Sequence, residues 1–121
     1  MATPSQQNMA TPSPAFREVP VRIGLDAARN IVVDPEYFEV SKSGNEEVRW
    51  VCNQDHTCDE LVPCFTVDFE KNGSPFYESQ FSSNSPVSGL ARRSVLPGPK
   101  RYEYTVRVGS KSLDPGGGVR G

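Results

Sequence analysis

Large apolar residues alternate with polar or smaller ones in three segments of the chain, residues 48 to 52, 65 to 69 and 102 to 108. A period of two is typical of a β-strand that has one face in a core and the other in water. Each segment is therefore predicted to be a strand. The aromatic residues on the inward faces are predicted to belong to the core: Trp50, Phe65, Phe69, Tyr102 and Tyr104.

Shorter segments with the same alternation indicate further strands. Residues 19 to 23 alternate in this way, and Pro20, which has no N–H donor, favours a position at a sheet edge. Residues 37 to 40 lead through a Ser-Gly-Asn turn at 43 to 45 into the strand that contains Trp50, which predicts a β-hairpin.

Gly and Pro residues separate these strands, and no segment has the length and period of an amphipathic helix. Many short strands with such turns predict an all-β fold, an antiparallel Greek-key β-sandwich. The chain of 121 residues has room for a single domain.

The two ends of the chain are predicted to lie outside this domain. Residues 1 to 16 are rich in Pro, Ser, Thr and Gln, and repeat the run Met-Ala-Thr-Pro-Ser, so we expect a disordered N-terminal tail. Residues 17 to 115 are predicted to form the β-sandwich. Residues 116 to 121 begin with three glycines and are predicted to be a flexible C-terminal tail.

The charge pattern argues against two classes of partner. The net charge is −2, and acidic and basic residues are interspersed, so neither a nucleic-acid nor a membrane partner is expected. The sequence has no apolar run of about 18 residues and no basic-then-apolar start typical of a secretion signal. A cytoplasmic location is therefore expected.

The order of motifs resembles that of a known family. A proline breaker, an aromatic-x-Val strand, a Ser-Gly turn and Val-x-Trp follow one another at Pro35, Phe38, Val40, Gly44, Val48 and Trp50. Pro97-Gly98 then precedes the strand at residues 102 to 108. Over residues 19 to 118 the chain thus resembles a cupredoxin, a domain of the plastocyanin and azurin type. The resemblance implies a Greek-key sandwich and the place of a type 1 copper site.

The ligands that the resemblance implies are mostly replaced. A blue-copper site needs two histidine nitrogens, a cysteine thiolate and a weak axial ligand. In the family a cysteine ends the Tyr-x-Tyr strand, where this chain has Val108, and residues 109 to 121 contain no His, Cys or Met. The family's other histidine falls near Cys64. We therefore expect a domain without copper and without a cofactor.

A second candidate metal site is a cysteine cluster with the spacing Cys-x5-Cys-x5-Cys, formed by Cys52, Cys58 and Cys64 with His56 between them. These four residues could bind zinc or copper, although the paired C-x2-C spacing of common zinc sites is missing. Alternatively, two cysteines form a disulfide in an oxidising compartment. In a cytoplasmic protein we expect three reduced thiols, with Cys52 acting as a small apolar core residue.

No set of nucleophile, base and orienting group can be assembled, because the single histidine, His56, has no identifiable carboxylate partner. Two basic pairs, Arg92-Arg93 and Lys100-Arg101, flank Pro97 and are either solvated or in contact with an anion or a partner's acidic face. The sequence thus predicts a non-enzymatic, copper-free binding or interaction module for an unknown protein or small molecule. The alternative is a metal-binding or thiol redox protein that uses the cysteine cluster.

Overall fold

In the computed structural model, the residues described are 17 to 53, 63 to 70 and 73 to 121. They form ten strands and no helix. The strands are β1 (Arg17–Leu25), β2 (Ile31–Asp34), β3 (Tyr37–Ser41), β4 (Glu46–Cys52), β5 (Thr66–Asp68), β6 (Gln80–Ser82), β7 (Tyr102–Glu103), β8 (Thr105–Val108), β9 (Lys111–Leu113) and β10 (Gly116–Arg120). The all-β prediction is confirmed.

The first sheet has the strand order β2-β1-β4. β1 is antiparallel to β2 and parallel to β4. A segment beyond β4 continues the pairing, because the Trp50 N–H donates to the Pro86 carbonyl at 3.0 Å and the Ser88 N–H to the Val48 carbonyl at 2.9 Å. Pro20 pairs only with Arg49 of β4, since the register with β2 begins at Arg22. Pro20 thus lies in a part of β1 with a strand on one side only, although β1 as a whole is central.

The other two sheets divide the later strands between them. The second sheet has the order β3-β10-β7, with β10 parallel to β3 and antiparallel to β7. The third sheet, β6-β5-β8-β9, is antiparallel throughout. The predicted strand over residues 102 to 108 is therefore split at Tyr104, with β7 in the second sheet and β8 in the third.

One core of buried apolar side chains contacts all three sheets. Its centre is aromatic: the Phe69 and Tyr104 rings stack with centroids 4.8 Å apart, and the Trp50 and Phe81 rings stack at 5.0 Å. The five aromatic residues predicted to be core residues are all buried. Alternation along the strands therefore identified the inward faces correctly.

Two predictions about pairing are wrong. β3 and β4 do not form the predicted hairpin, because they lie in different sheets. The sheets also include two parallel pairs, so the pairing is mixed and not antiparallel throughout. Parallel strands need a long crossover connection, and the sequence pattern along one strand does not reveal a partner so far along the chain.

The prediction of a flexible tail over residues 116 to 121 is wrong for residues 116 to 120. These residues form β10, the central strand of the second sheet, and all but Arg120 are buried. Neighbouring side chains occupy the Cβ positions of these glycines, and at Gly117 the neighbour is the fully buried Phe38 ring, which has no room to shift. A Cβ at Gly116 would lie 2.6 Å from the Arg101 guanidinium carbon, and one at Gly117 would lie 2.3 Å from the Phe38 ring.

The predicted tail at residues 1 to 16 lies outside the described residues. Within the described part of the chain, no helix has the length and apolar character needed to cross a membrane.

Candidate binding surface

The position at which the cupredoxin resemblance implies a copper-ligating cysteine is the end of β8. Val108 is buried there and pairs with Lys111 of β9. Only Gly109 and Ser110 separate the two strands, and Gly109 has the positive φ of 61° that a tight hairpin turn needs. An aliphatic side chain and a two-residue turn therefore occupy this place.

The cysteine cluster is described only in part. Cys52 ends β4, and Cys52 and Cys64 are half-buried and pack against the core. The Cys64 N–H donates to Ser83 Oγ at 2.9 Å. His56 and Cys58 lie outside the described residues, so the four-residue metal site stays a prediction. Among residues 17 to 53, 63 to 70 and 73 to 121, no three His, Cys, Asp or Glu side chains are grouped as a metal site.

Cys64 is disulfide-bonded, whereas Cys52 is a thiol. The expectation of three reduced thiols is therefore wrong for this structure, and the disulfide alternative is the one observed. Because the thiolate is the form that ligates metal, Cys64 offers no thiolate ligand while the disulfide is intact.

A shallow polar groove of about 450 Å³ crosses the third sheet. It is lined by outward-facing residues of β5, β6 and β8 together with their buried neighbours, including Asp68, Gln80 and Arg107. Thr66 lies opposite Arg107, and Asp68 lies opposite Thr105. One acidic and one basic side chain balance each other here, so the groove has no strong preference for the charge of a ligand.

A larger groove of about 620 Å³ follows residues 92 to 101, which we call the cationic loop. Val95 and Tyr102 are buried at its base, and Lys100 and Leu96 are exposed along it. Arg93 is exposed next to Arg92, which lines the groove. Leu96 is the most exposed large apolar side chain in the described part of the chain, at 80%. The groove thus combines an apolar base and crest with basic side chains.

Hydrogen bonds fix the backbone of the cationic loop. The Lys42 ammonium group donates to the Arg93 carbonyl at 2.8 Å and also to the Val95 carbonyl. The Arg92 guanidinium donates through Nε and Nη2 to the Ser74 carbonyl, at 3.1 and 2.7 Å. The Gly98 N–H donates to the Val119 carbonyl of β10 at 3.0 Å. The loop is therefore attached to the second sheet and to the segment after β5.

Basic residues are concentrated in the cationic loop. Residues 92 to 101 contain Arg92, Arg93, Lys100 and Arg101 and no Asp or Glu, and Glu103 follows two residues after Arg101. The ion pairs between described residues, Arg49 with Glu18 and Arg120 with Glu46, lie elsewhere.

Aromatic rings contact two of these cations. Lys100 Nζ lies 4.9 Å from the Tyr102 ring centroid, and the Arg101 guanidinium lies 5.5 Å from that of Tyr37. Cation–π contacts orient a cation without neutralising it. The loop therefore presents positive charge.

Two pKa shifts accompany this architecture, and neither belongs to the loop. Burial raises the pKa of the Tyr104 hydroxyl to about 12, and the hydroxyl accepts a hydrogen bond from Trp50 Nε1 at 3.5 Å. Burial also raises the pKa of the Glu47 carboxyl above its ordinary value of 4.5; Glu18 raises it further and Arg49 lowers it. Both groups are buried in the scaffold, so we assign neither a role in binding.

Sequence reasoning identified the two basic pairs but missed what positions them. Lys42 is distant in sequence, and its contact with the loop depends on the parallel pairing of β3 and β10. The exposure of Leu96 was not expected either, although two prolines within three residues of it indicate an extended loop crest.

Comparison of the chain with protein-family models, with curated proteins and with solved structures found no match.

Proposed function

We propose that this chain is a non-enzymatic binding module with a cupredoxin-like Greek-key sandwich scaffold and without a type 1 copper site, and that it binds through the groove of the cationic loop. The observation that carries the proposal is the fixed backbone of this loop, which presents the exposed side chains of Arg93, Lys100 and Leu96. A fixed, partly apolar concavity with a few polar groups is the usual form of a binding site.

The proposed sandwich scaffold is supported by consecutive strands that lie in different sheets. β2 and β3 are separated by two residues and lie in different sheets, as do β7 and β8 on either side of Tyr104. Strands that leave one sheet for another around a shared core are expected in a two-layered β-domain. The motif order from Pro35 to Val108 adds the resemblance to cupredoxins.

The copper-free part is supported by Val108 and the short turn at Gly109 and Ser110. The test is a titration of the purified, reduced protein with Cu(II), followed by visible absorption and electron paramagnetic resonance. We expect no intense thiolate-to-copper band and no type 1 spectrum. Appearance of that band at one copper per chain would refute the proposal.

The second candidate function, a thiol redox or metal-binding protein using Cys52, His56, Cys58 and Cys64, is favoured by one observation. Cys64 is disulfide-bonded while Cys52 is a thiol, so the cluster holds a bond that a reductant could open. This supports thiol redox chemistry over metal binding, because metal ligation needs thiolates.

Two measurements test this candidate. Thiols counted in denaturant before and after reduction give the redox states, and elemental analysis of protein purified without added metal gives the metal content. A disulfide that exchanges with a glutathione buffer would support the redox function. A disulfide that resists such a buffer, together with sub-stoichiometric zinc and copper, would exclude both forms of the candidate.

A further inference from the structure

We infer that the cationic loop binds an acidic, extended segment of a partner protein, with its carboxylates against Arg93 and Lys100 and an apolar side chain against Leu96. This inference rests on the proposed function and names the chemistry of the partner. Residues 92 to 101 and the groove beside them supply the evidence.

Charge complementarity selects the acidic partner. Residues 92 to 101 hold four cations and no carboxylate, in a chain whose net charge is −2, and the next carboxylate along the chain, Glu103, is closest in sequence to Arg101. Arg93 and Lys100 are exposed, and neither forms an ion pair with a residue in the described part of the chain. Opposite charge on a partner would therefore speed association and fix its orientation.

The shape of the surface selects a peptide segment over a membrane or a nucleic acid. A flat bilayer would contact the crest at Leu96 and leave the 620 Å³ groove empty. One exposed leucine and a few cations are also a weak membrane anchor, because stable anchoring needs two strong signals. A phosphate backbone is usually bound through a row of several Lys and Arg side chains, whereas this surface offers few exposed cations. An extended segment can instead place alternate side chains in the groove and along its rim.

The rigidity of the loop reduces the cost of binding. The backbone at Arg93, Val95 and Gly98 is already hydrogen-bonded to Lys42 and to Val119. Prolines at 97 and 99 restrict the crest further. A surface that is ordered before binding loses little conformational entropy, so more of the interaction free energy appears as affinity.

The apolar contact is supplied by Leu96, which is 80% exposed although its neighbour Val95 is 5% exposed. Burying an aliphatic side chain against a partner removes apolar surface from water and favours binding. The contact would therefore be a main source of affinity, with the cations determining which partner binds.

The test uses the full chain and two synthetic peptides, followed by fluorescence anisotropy. In one peptide Glu alternates with Leu, and in the other Lys replaces Glu. We expect the Glu peptide to bind with an affinity that falls as salt rises, and the Lys peptide to bind at least about tenfold more weakly. Equal binding of both peptides, or binding of neither, would overturn the inference.

Two matched double variants show which part of the surface binds the Glu peptide. Arg93→Gln with Lys100→Gln removes two exposed cations from the loop, and Arg107→Gln with Lys111→Gln removes two from the third sheet. We expect the loop variant to lose about tenfold in affinity for the Glu peptide and the control to change little. Leu96→Ser should weaken binding without changing the salt dependence. A control that loses as much affinity as the loop variant would refute the inference.

Two further binding measurements test whether the cationic loop binds a membrane or a second copy of the chain instead of a peptide. Vesicles containing phosphatidylserine that bind more tightly than the Glu peptide would assign the loop to a membrane, and self-association of the chain that competes with the peptide would assign it to a second copy. Either result contradicts the inference. Failure of the peptides leaves the copper test unaffected, whereas a type 1 copper spectrum refutes the proposed function whatever the peptides do.

Discussion

At the scale of single residues, the three consecutive glycines of β10 show how side-chain packing determines sequence. The side chains of Arg101, Phe38 and Tyr37 occupy the places where Cβ atoms of Gly116, Gly117 and Gly118 would lie. Phe38 is fully buried and cannot move into solvent without opening the core. Gly117 is therefore the glycine at which a methyl group is least tolerated.

Replacing Gly117 by Ala is expected to destabilise the protein by about 1 to 3 kcal/mol, because the added Cβ overpacks against the Phe38 ring. Gly98→Ala is the matched control, since no atom lies within 4 Å of its Cβ position; it should change stability by less than about 0.5 kcal/mol. Urea unfolding monitored by Trp50 fluorescence measures both. Equal stabilities of the two variants would contradict this account of β10.

Glu47 is a second residue with a specific effect, because ionisation of its carboxyl group lowers the stability of the folded protein. It is 8% exposed and lies directly opposite Glu18 in the register of β1 and β4. Its pKa is raised, chiefly by burial, so the carboxyl ionises less readily in the folded protein than in the unfolded chain. Stability from Glu47 is therefore fully present below its ordinary pKa of 4.5 and is lost as the pH rises through the folded-state value.

Glu47→Gln is accordingly expected to raise the denaturant midpoint at neutral pH, with the gain vanishing below pH 4.5. The exposed Glu39→Gln serves as the control and should give no such pH-dependent gain. The measurement is urea unfolding of the three proteins across this pH range. A Glu47→Gln variant less stable than the native protein at neutral pH would show that the ionised carboxyl is stabilising.

At the scale of elements, β3 and β10 position the cationic loop. They are parallel neighbours, and the turn after β3 places Lys42 where its backbone N–H donates to the Arg120 carbonyl at 2.8 Å. The ammonium group of the same residue donates to the Arg93 and Val95 carbonyls. One residue therefore links the second sheet to the loop.

Lys42→Met removes these charge-assisted bonds and retains most of the apolar stem, so we expect a loss of about 1 to 3 kcal/mol. Amide hydrogen exchange should also become faster at Val95 and Gly98 than at Val106, which lies in the antiparallel third sheet. Lys111→Met is the control. Unchanged exchange at Val95 and Gly98 would mean that Lys42 does not hold the loop.

At the same scale, the sequence predicted the position of several strands correctly but predicted the wrong pairing for others. Alternation located β3, β4 and β5 and their inward faces, because each strand has one face in the core. It missed β10, since Gly116, Gly117 and Gly118 carry no side chains that could alternate. It also gave the wrong partner for β4, because pairing with β1 joins segments that are far apart in the sequence.

At the scale of the whole molecule, two grooves on the surface around the shared aromatic core differ in their charge. The groove on the third sheet has balanced charge, whereas the cationic loop has an excess of positive charge. The basic pairs at residues 92 to 93 and 100 to 101 could be read from the sequence. The groove that Arg92 and Lys100 both line could not, because Lys42 and Val119 come to the loop only through the fold.

The most direct test of the account is a map of backbone amide chemical shifts as the Glu-Leu peptide is added to the isotope-labelled protein. We expect the largest changes at residues 93 to 100 and at Lys42, with little change at Thr66, Gln80 and Arg107. Changes centred on the third-sheet groove, or the absence of any saturable change, would contradict the account.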